Sequence, residues 1–217
     1  AVRPLRRLLP AGTFSARPGL PAGVASRLTV NVAFFGTDAF VPLAASRVHD
    51  ASPLVAGLVI AGASLAWSGG SALAARRLGD TPPPRLIRLG FTVLAAAITA
   101  TIIIVWSAVP LWVTFLTWSV AGCGMGLVFT TVSTTGMNLA APGTEGLVSS
   151  QLGIADALGF ALATGVGGAL IALADDTRLE LGAALALVFG ASALVAVAGA
   201  AIASRVRAPS TPAPTPA

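Results

Sequence analysis

The sequence predicts an all-α membrane protein with six transmembrane helices, and three observations carry that prediction. Apolar residues fill 55% of the 217 positions and charged residues only 10%, where a soluble domain carries about 25% charged residues. Mean hydropathy is +0.87. No charge at all lies between Arg88 and Glu145, a run too long for a single span of about 20 residues. Six spans of that length use roughly 120 positions and leave the rest for loops and tails.

The elements follow in order. Residues 1–23 hold four Arg, four Pro and three Gly, and their apolar stretch is broken at Pro10. A signal peptide needs a sustained apolar region, so this segment reads as a basic cytoplasmic loop arriving from an upstream part of a longer protein. The expected spans are 24–46, 53–75, 86–105, 109–134, 147–174 and 181–203, within one transmembrane domain over 24–204. Ser52 and Pro53 offer an N-cap with Pro at the first helical position. Pro82, Pro83 and Pro84 stop the second span. Ser107 to Pro110 divide the long uncharged run, with Trp106 and Trp112 at the interface on either side. Pro142 and Gly143 turn the chain before the fifth span. Residues 205–217 read as a disordered, polyproline-like cytoplasmic tail.

All 13 basic residues are Arg, and they sit between the apolar runs. Arg3, Arg6, Arg7, Arg17, Arg27, Arg76, Arg77, Arg85, Arg88, Arg205 and Arg207 fall on one side, against Arg47 and Arg178 on the other. Cytoplasmic loops carry the excess of basic residues, which places both termini in the cytoplasm of a multi-pass plasma-membrane protein. Charge distributed this way predicts a lipid bilayer as partner and no nucleic acid. Cys123 and His49 are each alone of their kind, so no disulfide, metal site or cofactor is expected. Zincin, Walker and redox motifs are absent, and no enzyme is predicted.

Two acids, Asp38 and Asp156, lie inside spans, where each costs about 2.5–3.5 kcal/mol on insertion scales and marks a bundle interior or a watery path. Asp38 precedes Pro42 by four residues, and proline has no N–H for the carbonyl of residue i−4. A carboxylate and an unpaired carbonyl are thus expected together on a weakened helix, with Arg27, Asn31 and Phe35 forming a polar stripe before them. Asp38 reads as a proton- or cation-responsive acid in a transport path, or as an acid paired for packing alone. Asp156 lies near mid-bilayer among small residues (Ser149, Gly153, Gly159, Ala163, Gly167). It reads equally as a translocation group or as a buried acid bonded across a tight helix pair. Ser64 and Ser68 with Trp67, and Trp118, are candidates for a substrate cavity, with interhelical packing as the alternative. The run Thr130, Thr131, Ser133, Thr134, Thr135, ending at Asn138, is expected to unwind or line the cytoplasmic end of the fourth span, or to bond back to its own helix. Gly122, Gly124 and Gly126 do not make a nucleotide loop and fit close helix packing.

The chain resembles the C-terminal six-helix half of a major facilitator superfamily transporter. The likeness covers residues 1–207 and rests on FFGTDAFVPLAASRVHDASPLVAGLVIAG as the family's helices seven and eight, the loop GGSALAARRLGDTPPPRLIRLG, and APGTEGLVSSQLGIADALGFALATGVGGALIA near its helix eleven. TDAFVPL and SPLVAGL are similar to segments of actinobacterial drug-efflux-type members. Gly70, Arg76 and Arg77 match the glycine and basic positions of the family's cytoplasmic gating-loop motif, while Ala75 replaces its acidic residue. The resemblance implies a 3+3 inverted repeat packed against an N-terminal six-helix half around a central cavity. It further implies secondary transport by alternating access, here expected to be proton-coupled export of small organic compounds or drugs. The competing expectation is a non-transporting six-helix scaffold that acts as a homodimer.

Overall fold

The computed structural model describes residues 8–176 and 179–207, without the side chains of 175 and 176. The basic segment at residues 1–7, Arg178 and the tail from 208 onward lie outside the described residues. Among the described residues, seven α-helices form six units long and apolar enough to cross a membrane. The first unit is broken in two, α1 (Leu20–Asp38) and α2 (Val41–Val48). The others are α3 (Pro53–Arg77), α4 (Pro83–Thr101), α5 (Leu111–Asn138), α6 (Glu145–Asp176) and α7 (Leu181–Ile202). Short 3-10 turns cover Thr13–Ser15, Ile102–Val105 and Ala203–Arg205.

Helix ends follow local chemistry. Gly19, at φ +96°, turns the chain into α1, which starts earlier than the hydropathy run suggests. The Ser52 hydroxyl accepts from the Val55 N–H to cap α3. Pro110 starts α5, and Trp106 and Trp112 stand exposed beside that turn, as an interfacial aromatic pair does. α5 stays helical through its Thr/Ser run to Asn138, because Thr131 and Ser133 bond back to the carbonyls of Leu127 and Phe129. Of the alternatives for this run, bonding back to its own helix holds and unwinding does not occur. The Gly19 N–H donates to the Arg205 carbonyl at 2.9 Å, so the two ends of the bundle meet on one face, as an even number of spans requires.

The packing shows the 3+3 repeat. In the first triplet (α1/α2, α3, α4) and the second (α5, α6, α7), each leading helix packs on the second and third helices of the other triplet: α1 on α6 and α7, α5 on α3 and α4. The third helices, α4 and α7, pack on each other, and so do the leading helices α1 and α5. Three spans separate equivalent helices, so equivalents run in opposite directions and the repeat is inverted. The middle helices are the least covered, with 28% of the α3 span and 22% of the α6 span buried, against 39–50% for the other four.

Without a hydrophobic drive between helices in lipid, contacts depend on close approach and polar groups. The α3–α5 seam is made by close approach. A Cβ on Gly70, Gly122 or Gly126 would collide with backbone of the facing helix, at Cys123, Ala63 and Trp67 respectively. A Cβ on Gly124 would likewise meet the backbone of Gly90 and Leu94 on α4, so Gly122, Gly124 and Gly126 are packing residues. Gly70 is one too, inside α3 against Cys123, and Arg76 and Arg77 form the last turn of the same helix. The resemblance matched these three positions to a gating-loop motif; here all three lie within the helix.

Candidate functional site

At the α1–α6 interface the sequence places two opposite charges inside the bundle. The Arg27 guanidinium grips the Asp156 carboxylate with both fork positions, Nε on Oδ1 at 2.5 Å and Nη2 on Oδ2 at 2.9 Å. Its Nη1 donates to the Phe129 carbonyl at 3.0 Å and to the Ser133 hydroxyl at 2.7 Å. The guanidinium carbon lies 3.1 Å from the centre of the Phe129 ring. The Asn31 amide, one turn above Arg27 on α1, donates to Asp156 Oδ1 and to the Arg27 carbonyl, both at 2.8 Å. A bidentate, charge-assisted pair of this kind is among the stronger hydrogen-bonded arrangements, and cation–π contact adds to it. α6 reaches α1 this closely because Gly159 lies against Leu28 and Asn31.

This corrects the sequence reading of Arg27. The residue was counted among the cytoplasmic arginines, yet it is 5% exposed and its charge is held by Asp156 inside the bundle. Asn31, from the same polar stripe, is likewise buried and bonded. Asp156 is bonded across a helix pair, one of the two alternatives for it, and its side chain is 33% exposed. The pairing joins residues 129 apart in sequence, and the one signal for it was that two acids inside spans required a cation while Arg27 shared a helical face with Asn31.

Asp38 ends α1. Pro42 cannot supply an N–H, and the chain restarts as α2 at Val41, so the predicted weak point is a break. The indole N–H of Trp118, on α5, donates to Asp38 Oδ1 at 2.8 Å. Trp118 is fully buried and stacks on Phe34, with ring centres 5.0 Å apart. Trp118 is thus enclosed by the helices and bonded to Asp38. A buried indole N–H needs a partner, which is the signal in the sequence that would have linked the two.

An aromatic chain joins the two acids. From Trp118 and Phe34 it passes to Trp67, 5.6 Å from Phe34, and on to Phe129, 5.2 Å from Trp67, which lies beneath Arg27. Phe35 branches from Phe34 toward Phe160 of α6. The cluster thus draws on the leading and middle helices of both triplets. Ser64 and Ser68 do not join it: both are exposed on α3, with hydroxyls bonded to the carbonyls of Ile60 and Ser64. They point away because Trp67 takes the inward face of that turn.

No family model and no curated protein matches the chain. A solved structure does: the crystal structure of a mutant of the peptide transporter POT in complex with sulfate, with a TM-score of 0.64 and 18% sequence identity over 90% of this chain and 37% of that one. The chain therefore spans just over a third of the transporter it matches. The likeness is one of fold: the six apolar helices are arranged as in part of that transporter.

Proposed function

We propose that residues 1–217 are the C-terminal half of a secondary active transporter that works by alternating access and exports small organic compounds or drugs in exchange for protons. The observation that carries this reading is the pair of charged devices inside the spans, Arg27–Asp156 and Asp38–Trp118, joined by one aromatic chain. Intramembrane ionisable groups are retained mainly for transport and proton relay. Asp38, at the break before Pro42, is the proposed proton-coupling group, with Asp156 and Asn31 on the same pathway and Phe35 and Trp67 on the substrate wall. The partner is an N-terminal six-helix half of the same transporter, and the least covered helices, α3 and α6, are the faces it would meet. Small-molecule substrate and protons complete the partners, no cofactor enters, and both termini are placed in the cytoplasm of a plasma-membrane protein.

The test is pH-gradient-driven transport by the full-length protein in proteoliposomes, read with a panel of labelled organic anions, cations and neutral compounds. Asp38→Asn keeps an oxygen for the Trp118 N–H and removes the titrating group. It is expected to abolish gradient-driven transport without loss of folded protein. Normal transport by this variant would sink the coupling role. Full-length protein that forms stable homodimers and moves no compound would favour the scaffold reading instead.

A further inference from the structure

We infer that the Arg27–Asp156 pair is a recognition site for a small organic carboxylate, which takes the place of Asp156 on the Arg27 fork. This deepens the transport reading, which supplies the reason for a ligand; the cluster supplies its chemistry. Three features favour an anion that binds by replacement. The guanidinium is fixed: Phe129 and Ser133 hold Nη1, and the Phe129 ring supports its face. Its remaining edge, Nε and Nη2, is a rigid two-pronged receptor for a carboxylate, the geometry that arginine matches bidentately. The present occupant of that edge is itself a carboxylate on a side chain 33% exposed, against 7% for Arg27. Beyond Arg27, Asp156 accepts from the Asn31 amide, and its exposed side chain has room to turn away, whereas Arg27 is enclosed.

The exposed side of the pair opens on a cavity of about 260 Å³ bordered by Arg27, Asp156, Ser133, Ser149, Met137 and Gly153. Pockets for drug-sized ligands run to about 300–1,000 Å³, so this one suits a smaller molecule. Ser149, Gly153 and Asp156 lie on one face of α6, and a Cβ on Gly153 would meet nothing within 4 Å, which leaves room beside the carboxylate. Ser149 and Ser133 supply hydroxyls, and Met137 an apolar wall. A cationic ligand would face Arg27 at low dielectric, where like charges repel strongly. A neutral ligand would offer the fork no charge in exchange for Asp156.

The test uses residues 1–217 in lipid nanodiscs, with benzoate, benzamide and benzylammonium as matched anionic, neutral and cationic probes and thermal unfolding as the readout. A ligand that binds only the folded state raises the unfolding temperature with its concentration. Benzoate is expected to do so saturably and the other two are not. Asp156→Asn removes the competing charge and should tighten benzoate about tenfold, while Arg27→Gln should abolish its effect. Gly153→Leu fills the cavity while keeping both charges and should abolish benzoate binding in a protein that still folds. Equal stabilisation by benzamide, or none by benzoate, overturns the assignment, as does unchanged benzoate affinity in Asp156→Asn. If Asp156→Asn does not fold, Gly153→Leu decides, and retained benzoate binding there overturns the assignment. Because the readout is binding, absence of flux in the full-length protein with selective benzoate binding intact would defeat the transport reading alone. Flux without selective benzoate binding would defeat this one alone.

Discussion

The inverted repeat contains the same helix pairing twice, and the two copies are built differently. In α3–α5, a middle helix meets the other triplet's leading helix through glycines that bring backbone against backbone. In α1–α6, the equivalent pair, Gly159 also permits close approach, but the contact is completed by Arg27, Asp156 and Asn31. A glycine seam has one arrangement, since its contacts are backbone and nothing in it titrates or exchanges. A charge pair has alternatives, because its partners can be replaced by a proton, water or another ion. The difference assigns the rigid half of the repeat to α3–α5 and the responsive half to α1–α6.

The sharpest way to break this comparison is to overfill the rigid seam. In Gly126→Leu the new side chain would start at the backbone of Trp67, Gly70 and Ser71, none of which can rotate away. Overpacking a core costs typically about 1–3 kcal/mol, and a clash with backbone belongs at or beyond the top of that range. The expected outcome is loss of the monodisperse folded peak in detergent size-exclusion chromatography. Gly165→Ala on α6, where a Cβ meets open space, is the matching control and should retain the peak. A folded Gly126→Leu protein would show that the seam is not rigid.

The second break is electrostatic. Arg27→Met leaves the Asp156 carboxylate without its cation. Breaking a buried pair costs about 3–5 kcal/mol, while replacing both members with apolar residues is often neutral. The lower end, about 3 kcal/mol, is expected here because Asp156 keeps partial access to water. The double variant Arg27→Met/Asp156→Leu should recover most of that loss, as measured by chemical unfolding in detergent through a double-mutant cycle. Additive losses would mean that the pair does not act as a unit.

What the sequence disclosed and what it hid divide along the same line. The spans were legible because hydropathy, Pro and interfacial Trp act locally, and GCGMG was legible as packing because small residues in an apolar run have few other uses. The break at Asp38 followed from a single proline. Arg27 was hidden because an arginine near the start of an apolar run has the same local pattern whether it faces the cytoplasm or turns inward. Its partner lies 129 residues away, and the contact depends on a helix register that no local pattern records. The link from Trp118 to Asp38 was hidden for the same reason, as was the direction of the Ser64 and Ser68 face.

That last face gives the smallest expected effect and the cleanest check on where the site ends. Ser64 and Ser68 are exposed, and each hydroxyl already bonds a carbonyl one turn back in its own helix. Such a bond competes weakly with the helix and contributes little to it, and surface substitutions away from special features stay within about ±0.5 kcal/mol. The double variant Ser64→Ala/Ser68→Ala should therefore unfold as the parent does and leave selective benzoate stabilisation unchanged. A loss of benzoate stabilisation would move the site from the α1–α6 interface toward the open face of α3, and the contrast between the two seams would no longer locate function.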